Sequence, residues 1–115
     1  MGSATDADRL DALFAALGDR TRRDIVARLC AGEATVKELA EPYAMSLQAV
    51  SQHIRVLERS GLVSQGRHRQ TRPCRVEPAA LETALSWIEE SRRTWSERVD
   101  RLEAHLARLQ EGTSE

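Results

Sequence analysis

The sequence predicts a mainly α-helical domain with a small β-hairpin and a long C-terminal helix. Its 115 residues suffice for one domain. Apolar residues recur at helical spacings of three and four over most of the chain, whereas residues 62–76 resemble a strand, a polar turn and a second strand. We predict one domain over residues 8–110, with tails at 1–7 and 111–115.

Three helices are predicted in the first forty residues. The first begins behind the candidate caps Asp6 and Asp8 and stops at Gly18. Its apolar face contains Leu10, Leu13, Phe14 and Leu17. Asp19 can cap a second helix, whose apolar positions are Ile25, Val26 and Leu29. Thr35 can cap a third, very short helix that Pro42 ends.

The fourth helix and the hairpin after it suggest a helix-turn-helix with a wing. Ser46 is a candidate N-cap for a helix over 46–60, and its apolar positions are Leu47, Val50, Ile54 and Leu57. Two helices joined by a short turn occur in many proteins, but the hairpin at 62–76 is more specific to this fold. Pro73 cannot donate to a ladder, so we expect the second strand to lie at an edge.

The C-terminal helix, predicted over 78–110, is too long for its own domain to cover. A helix of about 30 residues spans roughly 45 Å. Its apolar residues follow a heptad spacing: Leu81, Leu85, Ile88, Trp95, Val99, Leu102, Leu106 and Leu109. We predict a homodimer interface made of Leu10, Leu13, Phe14, Leu17, Trp95, Val99, Leu102, Leu106 and Leu109. The alternative is a helix that folds back onto its own core.

The charge distribution favours a nucleic-acid partner although the net charge is only −1. Residues 51–75 carry six arginines and one glutamate, whereas the segments on both sides are net acidic. A local basic segment of this kind is typical of phosphate binding, and a solvated charged face is the alternative. No stretch approaches the roughly 18 apolar residues of a membrane span, and no export signal begins the chain, so we expect a cytoplasmic protein without a membrane partner.

The outward face of the fourth helix has hydrogen-bonding chemistry that suits bases. We expect base contacts from Gln48, Ala49, Ser51, Gln52 and Arg55, because Gln pairs with adenine and Arg with guanine in the major groove. Thr35, Lys37 and Ser46 are expected to position the DNA backbone. Wing-tip contacts to flanking DNA are assigned to Arg67, His68 and Arg69.

Two segments, GDRTRRDIVARL and SLQAVSQHIRVLERSGLV, resemble the ArsR family of winged helix-turn-helix repressors. The resemblance covers about residues 8–110. It implies a homodimer with four helices, two strands and a fifth helix, and repression of its own or a neighbouring operon that an effector relieves. The family's third-helix thiolate motif is absent, since Thr35 and Lys37 lie where cysteines would be. The last helix also lacks the spacing of the zinc-type motif. We expect no metal and no cofactor.

Cys30 and Cys74 leave a redox-sensing role as a further hypothesis. Cys30 ends an apolar stripe, so we expect a buried, inert thiol. Cys74 lies between Arg72 and Arg75, whose charge would favour a thiolate if the sulfur were accessible.

The sequence leaves several alternatives open. A protein-protein interaction module that dimerises through the C-terminal heptads would not bind duplex DNA. An enzyme with a Cys-His pair lacks an orienting third group at recognisable spacing, so we expect no enzymatic activity. A small-molecule effector near Trp87 and Trp95 would leave no motif, and core or dimer packing is the other role for these tryptophans.

Overall fold

The computed structural model describes residues 5–66 and 72–113. It is mainly helical with a small antiparallel sheet, as predicted. The elements in chain order are α1 (Asp6–Leu17), α2 (Arg20–Ala31), β1 (Ala34–Thr35), α3 (Val36–Ala40), α4 (Leu47–Arg59), β2 (Val63–Gln65), β3 (Pro73–Val76) and α5 (Pro78–Thr113). The helices therefore extend into both segments that we predicted as tails.

Side chains cap the helices at their N-termini, where backbone N–H groups lack partners. Thr5, and not Asp6 or Asp8, caps α1: its hydroxyl accepts from the Asp8 N–H, and the Asp8 carboxylate accepts from the Thr5 N–H. The predicted caps Asp19, Thr35 and Ser46 begin α2, α3 and α4.

A hydrogen-bonded glycine turn ends α4 and begins the wing. Gly61 has a φ of 87°, a left-handed conformation that favours glycine. Its N–H donates to the Glu58 carbonyl at 3.0 Å, and the Leu62 N–H donates to the Leu57 carbonyl at 3.1 Å. This pair of bonds is the Schellman arrangement, which also brings the buried side chains of Leu57 and Leu62 together.

The sheet has three strands in the order β1-β3-β2, so our expectation that the second wing strand lies at an edge is wrong. The sequence analysis did not identify β1, which pairs with the other side of β3 and places Ala34 opposite Cys74. Pro73 is tolerated in the central strand because it is the first residue of β3. Its carbonyl still accepts a hydrogen bond from the Gly66 N–H at 2.9 Å.

The core lies between α1, α2, α3, α4 and the sheet. Its largest fully buried side chains are Ile25, Leu39, Val50, Ile54, Leu57, Leu62 and Cys74. Two sequence predictions are corrected here. Leu47 is 52% exposed because it occupies the first position of α4, before the helix meets the core. Leu13 is 3% exposed and packs in the chain's own core, so it is unavailable to a second chain.

The chain divides into two units, one ending at Ala84 and one beginning at Leu85. The second unit is the remainder of α5. Its large apolar side chains are about half exposed or more: Leu85, Trp87, Ile88, Trp95, Leu102, Leu106 and Leu109. Val99 is half-buried. Within the described residues, no helix is apolar over a length that could cross a membrane.

Replacing Ile54 by alanine should destabilise the protein by about 2–5 kcal/mol, because the fully buried side chain would leave a cavity. The matched control in the same helix is Leu47→Ala, which should change stability by less than about 1 kcal/mol. Urea denaturation followed by circular dichroism measures both. Equal losses in the two variants would contradict the burial described here.

Candidate nucleic-acid interface

The helix α4 has one apolar face and one polar face. Val50, Ile54 and Leu57 are fully buried, which fixes the opposite face toward solvent. Exposed side chains on that face are Gln48, Gln52, Arg55 and Arg59, and the neighbouring Ala49 and Ser51 are half-buried. The structure therefore brings the predicted base-contacting residues onto one helix.

Gln52 and Arg55 form a hydrogen-bonded pair on this surface. The Arg55 Nη1 donates to the Gln52 Oε1 at 2.6 Å, across a spacing of three residues. Neighbouring side chains on a helix meet at this spacing. Both side chains keep unused donors, so the pair offers a preorganised polar edge to a ligand.

The three residues expected at the DNA backbone occupy two helix starts. The Thr35 hydroxyl accepts from the Glu38 N–H at 3.2 Å, and the Ser46 hydroxyl accepts from the Ala49 N–H at 3.1 Å. Each hydroxyl keeps its own hydrogen for donation. Lys37 is exposed in α3. Hydrogen bonds from Thr35 hold the pKa of the Glu38 carboxyl below its usual value.

Hydrogen bonds connect residues at the base of the wing. Arg67, His68 and Arg69 lie outside the described residues. The Glu77 carboxylate accepts from the Ser64 hydroxyl and from the Arg75 Nε, the latter at 3.4 Å. These donors lower the pKa of Glu77. Arg72 is exposed at the start of the returning strand.

Arginines in α2 hold the helices that surround α4, a role that our sequence analysis missed. Arg28 donates to the Leu39 and Glu38 carbonyls at 2.8 and 3.2 Å, at the end of α3. Arg23 donates to the Leu17 carbonyl at 2.9 Å, at the end of α1. Helix C-termini present unpaired carbonyls and the negative end of the dipole, which suit a guanidinium.

Arg22 connects three helices. Its Nε donates to the Ala16 carbonyl at 2.7 Å and its Nη2 to the Ala15 carbonyl at 3.3 Å. Its Nη1 lies 3.3 Å from Nδ1 of His53, in α4. A sequence feature could have indicated such a role, because cations in the first turn of a helix oppose the dipole and need a tertiary partner.

Tyr43, which follows α3, contacts Asp24 and Arg28 of α2. Its hydroxyl donates to the Asp24 carboxylate, and the Arg28 guanidinium lies 5.6 Å from its ring centre. Burial, followed by the hydrogen bond to Asp24, raises the pKa of Tyr43. An open cavity of about 610 Å³ beside it is lined by Arg20, Thr21, Arg23, Asp24 and Tyr43.

The expectation of a buried Cys30 is wrong, and the accessibility of Cys74, which the sequence left open, is decided by the structure. Cys30 is exposed, because it lies on the outer side of the last turn of α2. Cys74 is fully buried in β3, and burial raises the pKa of its thiol to about 11, with the Glu58 charge as a further cause. The buried thiol is therefore protonated at neutral pH, and the nearby arginines do not make it a thiolate.

Potential metal ligands do not cluster in the described part of the chain. Over residues 5–66 and 72–113, no three His, Cys, Asp or Glu side chains form a group that could hold a metal ion. His53 lies in α4 and His105 in α5. His68 lies outside the described residues.

Comparison with known proteins identifies the family. A helix-turn-helix domain profile matches residues 17–65. The chain is 42% identical over 78 residues to the HTH-type transcriptional regulator Rv2034 of Mycobacterium tuberculosis. The matched segment covers 65% of this chain and 73% of that protein. It is 35% identical to the ArsR-family transcriptional regulator RHA00566, whose crystal structure superposes with a TM-score of 0.73 over 82% of this chain and 97% of that one. This chain belongs to the ArsR family.

Two further proteins to which the chain is similar are a transcriptional repressor and a DNA-binding domain. The transcriptional repressor SdpR of Bacillus subtilis is 28% identical over 76 residues, 66% of this chain and 84% of that protein. The homodimeric winged helix-turn-helix DNA-binding domain of Mb0332 from Mycobacterium bovis is 25% identical, with a TM-score of 0.61 over 82% of this chain and 94% of that one. The family is one of DNA-binding transcriptional regulators and not of enzymes.

The two thiols should react at very different rates with a maleimide at neutral pH. Cys30 is exposed and should label within minutes, whereas Cys74 is buried and protonated and should label only after denaturation. Mass spectrometry should therefore find one label per native chain and two in guanidinium. The Cys30→Ser variant is the control and should take up none in the native state; a label on native Cys74 would contradict this prediction.

Proposed function

We propose that this ArsR-family chain is a homodimeric repressor that binds a specific operator and controls its own or a neighbouring operon. The observation that carries the proposal is α4, whose buried face fixes a polar face of glutamine, serine and arginine toward solvent. The repressor SdpR, to which the chain is similar, supports the direction of regulation. The cytoplasm is the compartment that this function requires.

In the proposal α4 lies in the major groove. Gln48, Gln52 and Arg55 then contact base edges, because glutamine can bind adenine and arginine guanine with paired hydrogen bonds. Ala49 and Ser51 approach the same edges with small side chains, which allow close contact. The 2.6 Å bond between Arg55 and Gln52 would limit the rotamers of both side chains before DNA arrives.

The backbone contacts in the proposal surround this helix. Thr35, Lys37 and Ser46 approach phosphates from the starts of α3 and α4. The wing residues Arg67, His68 and Arg69 contact flanking phosphates or the minor groove. These groups contribute affinity more than sequence preference, because phosphates are the same at every base pair.

We propose that α5 forms the dimer. Trp95, Leu102 and Leu106 are 64, 58 and 50% exposed and share a heptad face with Val99 and Leu109. Such an apolar row in water favours association with a matching row. Leu10, Phe14 and Leu17 of α1 are proposed to add to this interface, without the buried Leu13. The dimer would place its two α4 helices roughly 34 Å apart, one turn of DNA.

The DNA contacts can be separated by salt dependence, using fluorescence anisotropy with the chain's own upstream DNA and a scrambled duplex. Arg55→Ala should reduce the preference for the operator, with a loss of about 1–3 kcal/mol on that duplex. The double variant Arg67→Ala/Arg69→Ala should weaken both duplexes similarly and lower the salt slope by about 2, one for each lost phosphate contact.

The matched charge control for this experiment is Arg101→Ala, in α5 outside the proposed DNA face; it should retain wild-type affinity and slope. An unchanged slope in the double variant would contradict the wing assignment. Absence of salt-dependent binding to either duplex would instead favour the alternative, a protein-protein interaction module.

The dimer should dissociate when charges enter the heptad face. Leu102→Glu/Leu106→Glu would place two carboxylates in the apolar row and should shift the mass in light scattering at micromolar concentration from two chains to one. The matched control is Arg101→Glu, which changes the net charge by the same amount on another side of α5. This variant should stay dimeric. A wild-type mass of one chain would contradict the proposal.

A further inference from the structure

The contact between Arg22 and His53 defines which ring nitrogen carries hydrogen. A guanidinium has only donors, so at the 3.3 Å contact Nδ1 of His53 must accept. The neutral ring therefore carries its hydrogen on Nε2. Protonation would add a hydrogen to Nδ1 and remove the acceptor, and the positive ring would repel Arg22. The hydrogen bond thus exists only with the neutral form of His53.

Asp19 gives the protonated ring a different partner. Its Oδ2 lies 3.8 Å from Nδ1 of His53. The same oxygen accepts a hydrogen bond from the backbone N–H of Arg22 at 3.0 Å. Hydrogen bonding to Arg22 lowers the pKa of Asp19, so it is a carboxylate at neutral pH. Protonation would therefore exchange a contact with Arg22 for an ion pair with Asp19.

The surroundings of His53 contain few other charges. Elements α1, α2, α3 and β2 pack against α4. In the described part of the chain, the ionisable side chains in polar contact with the ring are Asp19 and Arg22. The ionisable residues of α1 lie in its first half, β2 has none, and α3 has the exposed Lys37 and Glu38, of which Glu38 is bound to Thr35. In α2, Arg23 is bound to the Leu17 carbonyl, Asp24 to Tyr43 and Arg28 to the Leu39 carbonyl.

This contact can set the rotation of α4. The buried Val50, Ile54 and Leu57 hold the helix against the core, but apolar burial is not directional. A hydrogen bond is directional, and Arg22 is itself fixed by two carbonyls at the end of α1. Because His53 follows Gln52 and is two residues from Arg55, a rotation at His53 moves the polar face as well.

We propose that the Arg22–His53 hydrogen bond positions α4 for operator binding, and that protonation of His53 releases it. The proposal rests on the proposed function, in which α4 contacts bases. His53 is a positioning residue, since it acts through the orientation of α4 and does not itself touch DNA. Operator affinity should consequently be lower with protonated than with neutral His53.

The test compares two replacements of His53 by anisotropy with operator DNA, at about pH 7.5 and pH 5.5 and at constant ionic strength. Glutamine offers Arg22 a carbonyl acceptor that does not titrate, so H53Q should bind within about twofold of wild type at the higher pH. Leucine offers no acceptor, so H53L should bind about three- to tenfold more weakly at both pH values.

The pH readout separates positioning from a merely structural role. Wild type should lose about three- to tenfold in affinity, relative to H53Q, between the two pH values. Because wild type and H53Q both contain His68, the comparison between them at each pH cancels any pH effect of the wing. The matched control is His105→Gln, an exposed α5 position that should keep the wild-type pH dependence. Circular dichroism melting checks that each variant is folded. If H53L is unfolded, the comparison of wild type with H53Q still tests the pH dependence.

A second measurement requires no DNA. Nitrogen-15 chemical shifts of the histidine rings in the free dimer should show hydrogen on Nε2 of His53 at neutral pH and none on Nδ1. A hydrogen on Nδ1 would overturn the proposal. So would H53L and H53Q binding equally at both pH values while wild type binds the operator, and the proposed function would then stand. Failure of wild type to bind any duplex would overturn both.

Discussion

The arrangement of the first unit depends on the guanidinium groups of α2. Each helix ends in carbonyls that no residue of the same helix can satisfy, and these ends carry partial negative charge. Arg22 and Arg23 bind such carbonyls at the end of α1, and Arg28 binds those at the end of α3. The helix α2 is therefore a common support for its neighbours. Apolar contacts alone would leave the angles between these helices less defined, because they have no direction.

The sheet gives the wing a fixed relation to the helix-turn-helix. The strand β1 leads directly into α3, and its partner β3 is the strand by which the chain returns from the wing. Cys74 lies at the centre, opposite both Ala34 and Gln65. Its burial explains why a cysteine flanked by arginines is not a reactive thiolate. The base of the wing and the start of α3 are thus joined through one sheet.

The proposed DNA contacts lie in the first unit, and most of the proposed dimer contacts lie in the second. The first unit, through Ala84, has a closed core and a polar helix face, whereas α5 from Leu85 onward exposes large apolar side chains. Water disfavours such a row of tryptophan and leucine more than it disfavours scattered apolar residues. DNA contact and association are accordingly proposed for different parts of the chain. Arg22 contacts both α1, which is proposed to contribute to the dimer, and His53 in α4, so it connects the two proposed functions.

Local patterns in the sequence determined the helices and most of their ends. Apolar spacing gives the buried face of α4, and the caps Asp19, Thr35 and Ser46 act within three residues of themselves. The same helical period identifies the polar residues that lie on the opposite face. The family resemblance rested on these segments, and the comparisons confirmed it.

Only the tertiary structure decided the features that join distant residues. The strand β1 has two residues and exists through its pairing with β3, so no local pattern could reveal it or the central position of Pro73. The burial of Leu13 and the exposure of Leu47 and Cys30 depend on where each helix meets the core. Arg22 and His53 are 31 residues apart. Spacing and capping act over three or four residues, whereas these contacts require the assembled fold.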